Sequence, residues 1–194
     1  MIQQELNVRW HSRAGQGAVT AANFFAEGLN KIGYKTQAFP DFGAEKRGAP
    51  VVVYNRVSKS AEILDDPAHL RHLDLVVLLD PTLVGNELTY EDILQGLKPE
   101  GILIINTSKT ENSVFNEKFK GKIYHLNATD IALATINRNV PNVAMVGGLT
   151  KILDLDGAQI KTILKEHLSG FFPEKIVNKN MEGFDRGFKE IFEL

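Results

Sequence analysis

His11-Ser12-Arg13-Ala14-Gly15-Gln16-Gly17-Ala18-Val19-Thr20 is the stretch whose reading decides the fold. Ahead of it Leu6, Val8 and Trp10 alternate with polar residues, the period of a strand; behind it apolar residues recur at helical spacing over 18–32. A strand, a glycine turn and a helix in that order make an anion cradle. Glycine lets the backbone turn sharply and come close to a ligand. The first N–H groups of the helix, at the positive end of its dipole, then face whatever is held there. Arg13 adds a fixed positive charge. The spacing departs from the dinucleotide fingerprint, because Ser12 and Ala14 stand where the first glycines of a G-x-G-x-x-G frame belong. By itself the turn also fits a purely structural role for Gly15 and Gly17.

Downstream, residues 34–39 read as a second strand ending at Pro40. The segment 41–50, DFGAEKRGAP, follows as a loop without apolar period. Lys46 and Arg47 lie there between Gly43 and Gly48, so the loop either bends around a partner while presenting cations or is a solvated turn. Val51, Val52, Val53 and Tyr54 open a β-branched strand that continues to Val57. In a doubly wound sheet, ligands gather beyond the carboxyl ends of the strands. Both loops follow a strand and are expected to converge.

The alternation continues to the end of the chain. A short helix is expected over 66–72, and Leu75-Val76-Val77-Leu78-Leu79 reads as a strand buried on both faces, closing at Asp80-Pro81. Asp80 sits where functional acids are found but is also a turn former. A helix over 90–97 should end near Pro99-Glu100-Gly101, with strands following at 102–105 and 122–126. Thr129 or Asp130 is expected to cap a helix running to Ile136. Pro141 should open another, with Gly147 and Gly148 allowing close packing. Asp156 with Gln159 resembles a capping box ahead of Ile160, Ile163, Leu164 and Leu168. The last helix, from Pro173, carries Val177, Met181, Phe184, Phe188 and Ile191 on one stripe, to be covered by its own sheet or by another subunit. The pattern predicts α/β class, a mostly parallel sheet flanked by helices. It forms one domain over 1–194, with 156–194 as a helical C-terminal extension.

With 43% hydrophobic and 24% charged residues the chain is ordinary globular protein, and 22 basic against 24 acidic residues leave no field for nucleic acid or an anionic membrane. No apolar run approaches the roughly 18 residues of a membrane span, and no signal-peptide pattern is present, so a cytoplasmic place is expected. The cysteine count is zero, which removes disulfides, thiol catalysis and thiolate ligation of iron-sulfur clusters. Among five histidines only His69 and His72 are close in sequence, without carboxylates in metal-site grouping, so no metal site is expected on this chain.

HSRAGQGAVTAA, QAFPDFGAEKRGAPV, YNRVS, LDPTL, ATDIAL and PNVAMVGGL, in that order over nearly the whole chain, resemble the gamma subunit of 2-oxoacid:ferredoxin oxidoreductases, most closely the pyruvate enzyme. The family's R-G-G-Q-G is met by Arg13, Gly15, Gln16 and Gly17, with Ala14 departing. Its G-x-E-R-R-G is met by Gly43, Glu45, Arg47 and Gly48, with Lys46 in place of an arginine. That exchange keeps the charge and loses the bidentate fork. The resemblance implies a Rossmann-like subunit, inactive alone, of a complex that oxidatively decarboxylates a 2-oxoacid to its acyl-CoA and CO2 and passes two electrons to ferredoxin, reversibly. Thiamine diphosphate, magnesium and the iron-sulfur clusters are then expected on alpha, beta and delta partners. Coenzyme A is the ligand expected near Arg13, Gly15, Gln16, Gly17, Lys46 and Arg47. Two alternatives stand beside it. The loops dock a partner subunit and bind nothing, or the chain is an independent nicotinamide dehydrogenase with Asp41 as its ribose-binding acid.

Overall fold

A computed structural model describes residues 2, 5–42, 49–59, 72–108 and 114–193. Among them, β1 (Glu5–Arg13), β2 (Lys35–Phe42), β3 (Pro50–Ser58), β4 (Leu73–Leu78), β5 (Leu97–Asn106), β6 (Lys122–Leu126) and β7 (Phe192–Glu193) form one sheet in the order β2-β3-β1-β4-β5-β6-β7. β3 runs antiparallel to β1 and β2, and β7 antiparallel to β6, so the other five strands all point one way. The carboxyl ends of β1 and β2 therefore lie on one edge, as the sequence suggested.

The two faces are covered unequally. One carries α1 (Ala18–Lys31), α4 (Ala128–Ile136), α5 (Asn142–Ile152), α6 (Gly157–Ser169) and α7 (Glu174–Glu190) over the larger core. The other carries the short helices α2 (Tyr90–Leu94) and α3 (Val114–Lys118) over a smaller one. β4 serves both: Leu75, Val77 and Leu79 enter the first core, Val76 and Leu78 the second, which is why its sequence is continuously apolar. On β1, Trp10 is fully buried and its Nε1–H donates to Asn55 Oδ1 (2.8 Å), while Asn55 Nδ2–H donates to the Ala22 carbonyl (2.9 Å). These bonds tie α1 to β1 and β3 and fix where the helix starts.

Several boundaries differ from the expectations. β2 runs through Pro40 to Phe42, because it is an edge strand and the proline's missing N–H leaves no ladder bond unmade on its open side. The helix expected over 90–97 stops at Leu94. Gly96, at φ +77°, turns the chain into β5, which already begins at Leu97 and passes through Pro99. α4 is capped by Asn127, whose Oδ1 accepts from Asp130 N–H (3.3 Å), rather than by Thr129 or Asp130. α3 and β7 carried no sequence signal, and the helix expected over 66–72 lies outside the described residues. Helices α5 and α7 meet backbone to backbone at Gly147 and Gly187. The stripe on α7 is thus covered mainly by α5 rather than directly by the sheet. Phe184 is buried; among the described residues the exposed phenylalanines are Phe171 and Phe172, just ahead of α7, and Phe192.

A buried histidine gives the fold a pH dependence. His11 on β1 is 4% exposed, and neither ring nitrogen has a hydrogen-bond partner. Burial first, then the charge of neighbouring Arg9, lowers its pKa to about 3. An unfolded histidine binds its proton near pH 6.5, so between about 6.5 and 3 the unfolded chain takes up a proton that the folded one refuses. Stability is full above that window and falls with pH inside it, by about 1.4 kcal/mol per pH unit. Urea unfolding at pH 7 and pH 5 should show a loss of about 2 kcal/mol that His11→Leu abolishes. An equal loss in the variant would assign the effect to other groups.

Candidate functional site

The chain turns at the end of β1 through Gly15 (φ +101°) and Gly17 (φ +83°), conformations that favour glycine, and Gly17 is the N-cap of α1. No side chain caps this helix. Its first intrahelical bond runs from Ala21 N–H to the Gly17 carbonyl, which leaves the N–H groups of Ala18, Val19 and Thr20 without an intrahelical acceptor.

Gln16 holds the turn closed. Its Oε1 accepts from Arg13 N–H (2.9 Å) and its Nε2–H donates to Asp80 Oδ2 (2.6 Å). Asp80, at the carboxyl end of β4, also accepts from Thr82 N–H (2.9 Å) and Thr82 Oγ1–H (2.6 Å), capping a single 3-10 turn at Pro81–Leu83. Of the two readings it is the turn former that the structure shows, and it also anchors the glycine loop through Gln16. Arg13 is placed in the same network, 3.3 Å from Asp80 and bidentate to Glu87 at 2.9 and 2.7 Å. Its guanidinium stands at the pocket edge already matched by two carboxylates, so it shapes the loop at least as much as it supplies free charge.

The residues flanking the second loop lie beside the first. Phe42 pairs with Val51 at its base, and Ala14 N–H donates to the Ala49 carbonyl (3.0 Å). Gly43, Lys46, Arg47 and Gly48 themselves lie outside the described residues. Asp41 is exposed at the end of β2, and β3 stands between β2 and β1. Two strand spacings, about 10 Å, separate β2 from the glycine turn's strand. A ribose-binding acid needs the adjacent position, so the dehydrogenase arrangement is not formed.

Beside the turn lies a cavity of about 650 Å³, within the size range of small-molecule sites. It is lined by the turn and the N-terminus of α5 and by the apolar side chains of Phe24, Val143, Leu168, Phe172 and Ile176. Sequence reasoning missed two of its residues. Asn142, the first residue of α5, is 7% exposed; its Oδ1 accepts from Val143 N–H (2.8 Å), and its Nδ2 lies against Gly17 and makes no hydrogen bond among the described residues. Arg138, exposed on the turn after α4, lines the cavity and enters no ion pair among the described residues. The signal that could have found them is the helix start at Pro141-Asn142, a second positive dipole end with an arginine just ahead of it.

Residues 7–190 match the family described as pyruvate ferredoxin/flavodoxin oxidoreductase. Among curated proteins, the pyruvate synthase subunit PorC of Thermotoga maritima is 36% identical over 98% of this chain and 97% of its own length. The pyruvate/ketoisovalerate oxidoreductases common subunit gamma of Pyrococcus furiosus is 39% identical over 97% of this chain and 100% of its own. The crystal structure of pyruvate oxidoreductase subunit PORC from Thermotoga maritima superposes with a TM-score of 0.83 at 35% identity, covering 98% of this chain and 99% of that one.

Proposed function

The chain belongs to the pyruvate ferredoxin/flavodoxin oxidoreductase family as a gamma-type subunit, and from that premise we propose that it completes a cytoplasmic complex with alpha, beta and delta subunits or their fused equivalents. The complex converts a 2-oxoacid, pyruvate first among them, with coenzyme A to acyl-CoA and CO2, and passes the two electrons to ferredoxin. Thiamine diphosphate, magnesium and the iron-sulfur clusters belong to the partners; a chain with no cysteine cannot ligate clusters through thiolates. This subunit's share is coenzyme A, held by the glycine turn at Arg13, Gly15, Gln16 and Gly17 and by Lys46 and Arg47 of the second loop. Residues 1–194 act as one gamma-type domain, in which the helical segment 156–194 packs back on α1 and α5.

The observation that carries this reading is an uncapped helix N-terminus, opened by two left-handed glycines, at the mouth of a cavity large enough for part of a nucleotide cofactor. The relative from Pyrococcus furiosus is named as common to pyruvate and ketoisovalerate enzymes. A subunit shared between two oxoacids fits a role toward the common coenzyme better than one toward the substrate.

The test is the assembled complex carrying Arg13→Ala with Lys46→Ala and Arg47→Ala. Loss of these cations should raise the KM for coenzyme A about tenfold or more, each charge-assisted hydrogen bond contributing about 1.5–3 kcal/mol, while the KM for the oxoacid stays put. An unchanged coenzyme A KM in an intact complex would leave only the docking role for these loops.

A further inference from the structure

We propose that Glu87 is a displaceable counter-ion, competing with the anionic part of coenzyme A for the Arg13 guanidinium and so setting how tightly the coenzyme is held. This rests on the coenzyme A reading above and adds to it a positioning residue that acts through Arg13.

Two carboxylates share this guanidinium, and their surroundings differ. Asp80 is 7% exposed and accepts from Gln16 Nε2–H (2.6 Å), Thr82 N–H (2.9 Å) and Thr82 Oγ1–H (2.6 Å) besides lying 3.3 Å from Arg13 Nε. Those bonds make it part of the loop whether or not the arginine stays. The Glu87 side chain is 39% exposed, and its two oxygens accept from Arg13 Nη1 (2.9 Å) and Nη2 (2.7 Å). The hydrogen bond from Arg13 holds the Glu87 carboxyl below the usual carboxylate range, so it is charged at neutral pH. Its backbone is tied independently: Glu87 N–H donates to the Leu83 carbonyl (3.1 Å) and Gly85 N–H to the Leu88 carbonyl (2.8 Å). The side chain can therefore swing away without unmaking the turn that carries it.

The sign of the charge requires such a movement. Arg13 lines the cavity, yet it stands between Asp80 and Glu87, one positive group against two negative ones, which repels a phosphate instead of admitting it. For the arginine to serve an anionic ligand one carboxylate has to give way, and exposure selects Glu87. An exposed ion pair holds weakly, because water screens both charges and two flexible side chains lose freedom to make it. A phosphate presents the same pair of acceptor oxygens to the guanidinium fork with more charge. When the coenzyme departs, Glu87 recaptures Arg13, so the cation stays oriented while affinity is kept moderate.

Coenzyme A saturation of the assembled complex carrying Glu87→Gln tests the proposal. Glutamine keeps the size of the side chain and loses its charge. The half-saturating coenzyme A concentration should fall about threefold at low salt and by less at high salt, while oxoacid saturation does not move. In a complex that also carries Arg13→Ala, Glu87→Gln should have no effect, because the carboxylate acts through that arginine. A residue that only shaped the loop would raise the coenzyme A requirement on substitution or leave it alone. Unchanged or raised half-saturation in Glu87→Gln therefore overturns the proposal. So does a fall of equal size in the Arg13→Ala background, which would make Glu87 a general surface charge. If either result came together with a raised coenzyme A KM in the Arg13, Lys46 and Arg47 variant, coenzyme A would still belong to this subunit and only the counter-ion would fall. An unchanged KM in that variant removes the reading and the counter-ion together.

Discussion

Gly187→Ala is expected to lower the melting temperature of the chain by about 6–12 °C, the yield of about 3 kcal/mol at this size. In an open helix the same exchange would stabilise by about 1 kcal/mol, since alanine is the better helix former. Here a Cβ at position 187 would stand 2.6 Å from the carbonyl carbon of Ala144 and closer still to its oxygen, and the facing Gly147 is equally constrained against Phe184. Overpacking a dense core costs about 1–3 kcal/mol when side chains can shift, and more when they cannot. The obstructing atoms are backbone atoms of α5, so relief requires parting two helices whose interface covers Val177, Met181 and Phe184. Gly183, one turn earlier on α7, is the internal control. A Cβ there meets Thr135 Oγ1 at 3.5 Å and Ile131 Cγ2 at 4.0 Å, ordinary contact, so Gly183→Ala should raise the melting temperature. Opposite signs four residues apart on one helix, followed by circular dichroism, are the expected outcome; a rise for both would mean that α5 and α7 do not meet at their backbones.

Much of this architecture is legible in the sequence because its strongest signals are periodic. The continuous run of β4, the stripe of α7 and the strand-glycine-helix unit at 5–31 each encode burial on a known face, and each forms where expected. What escaped reading depends on contacts distant in the chain. Whether Pro40 ends β2 depends on β2 being an edge strand, which no local pattern shows. That β3 would insert antiparallel between β2 and β1, removing the dinucleotide geometry, is a matter of sheet order. At the site, the glycine turn announced itself through backbone requirements local to it. Asn142 and Arg138 did not, because their meaning comes from the packing of α5 against α1, which brings position 142 beside position 17 across more than a hundred residues. Arg13 was visible as a charge, whereas its pairing with Asp80 and Glu87 was not.

The second large effect is expected at Gly17. Any other residue at φ +83° is strained by about 1–2 kcal/mol, and a Cβ would stand 2.8 Å from Asn142 Nδ2 and 3.1 Å from Val140 Cγ1. Gly17→Ala therefore pushes apart the two helix N-termini at the point where they converge, turning the first N–H groups of α1 away from the cavity and displacing the unpaired amide. The Gln16 to Asp80 and Arg13 to Glu87 contacts do not involve Gly17 and should keep the rest of the subunit folded and assembled.

The decisive measurement is the half-saturating coenzyme A concentration of the 2-oxoacid:ferredoxin reaction in a complex reconstituted with the Gly17→Ala chain, compared with the same complex carrying the unaltered chain. A cradle on this subunit predicts a rise of at least tenfold, about 1.4 kcal/mol, with oxoacid saturation unchanged and the subunit still bound. Equal coenzyme A saturation in two fully assembled complexes would contradict it and move the coenzyme to another chain.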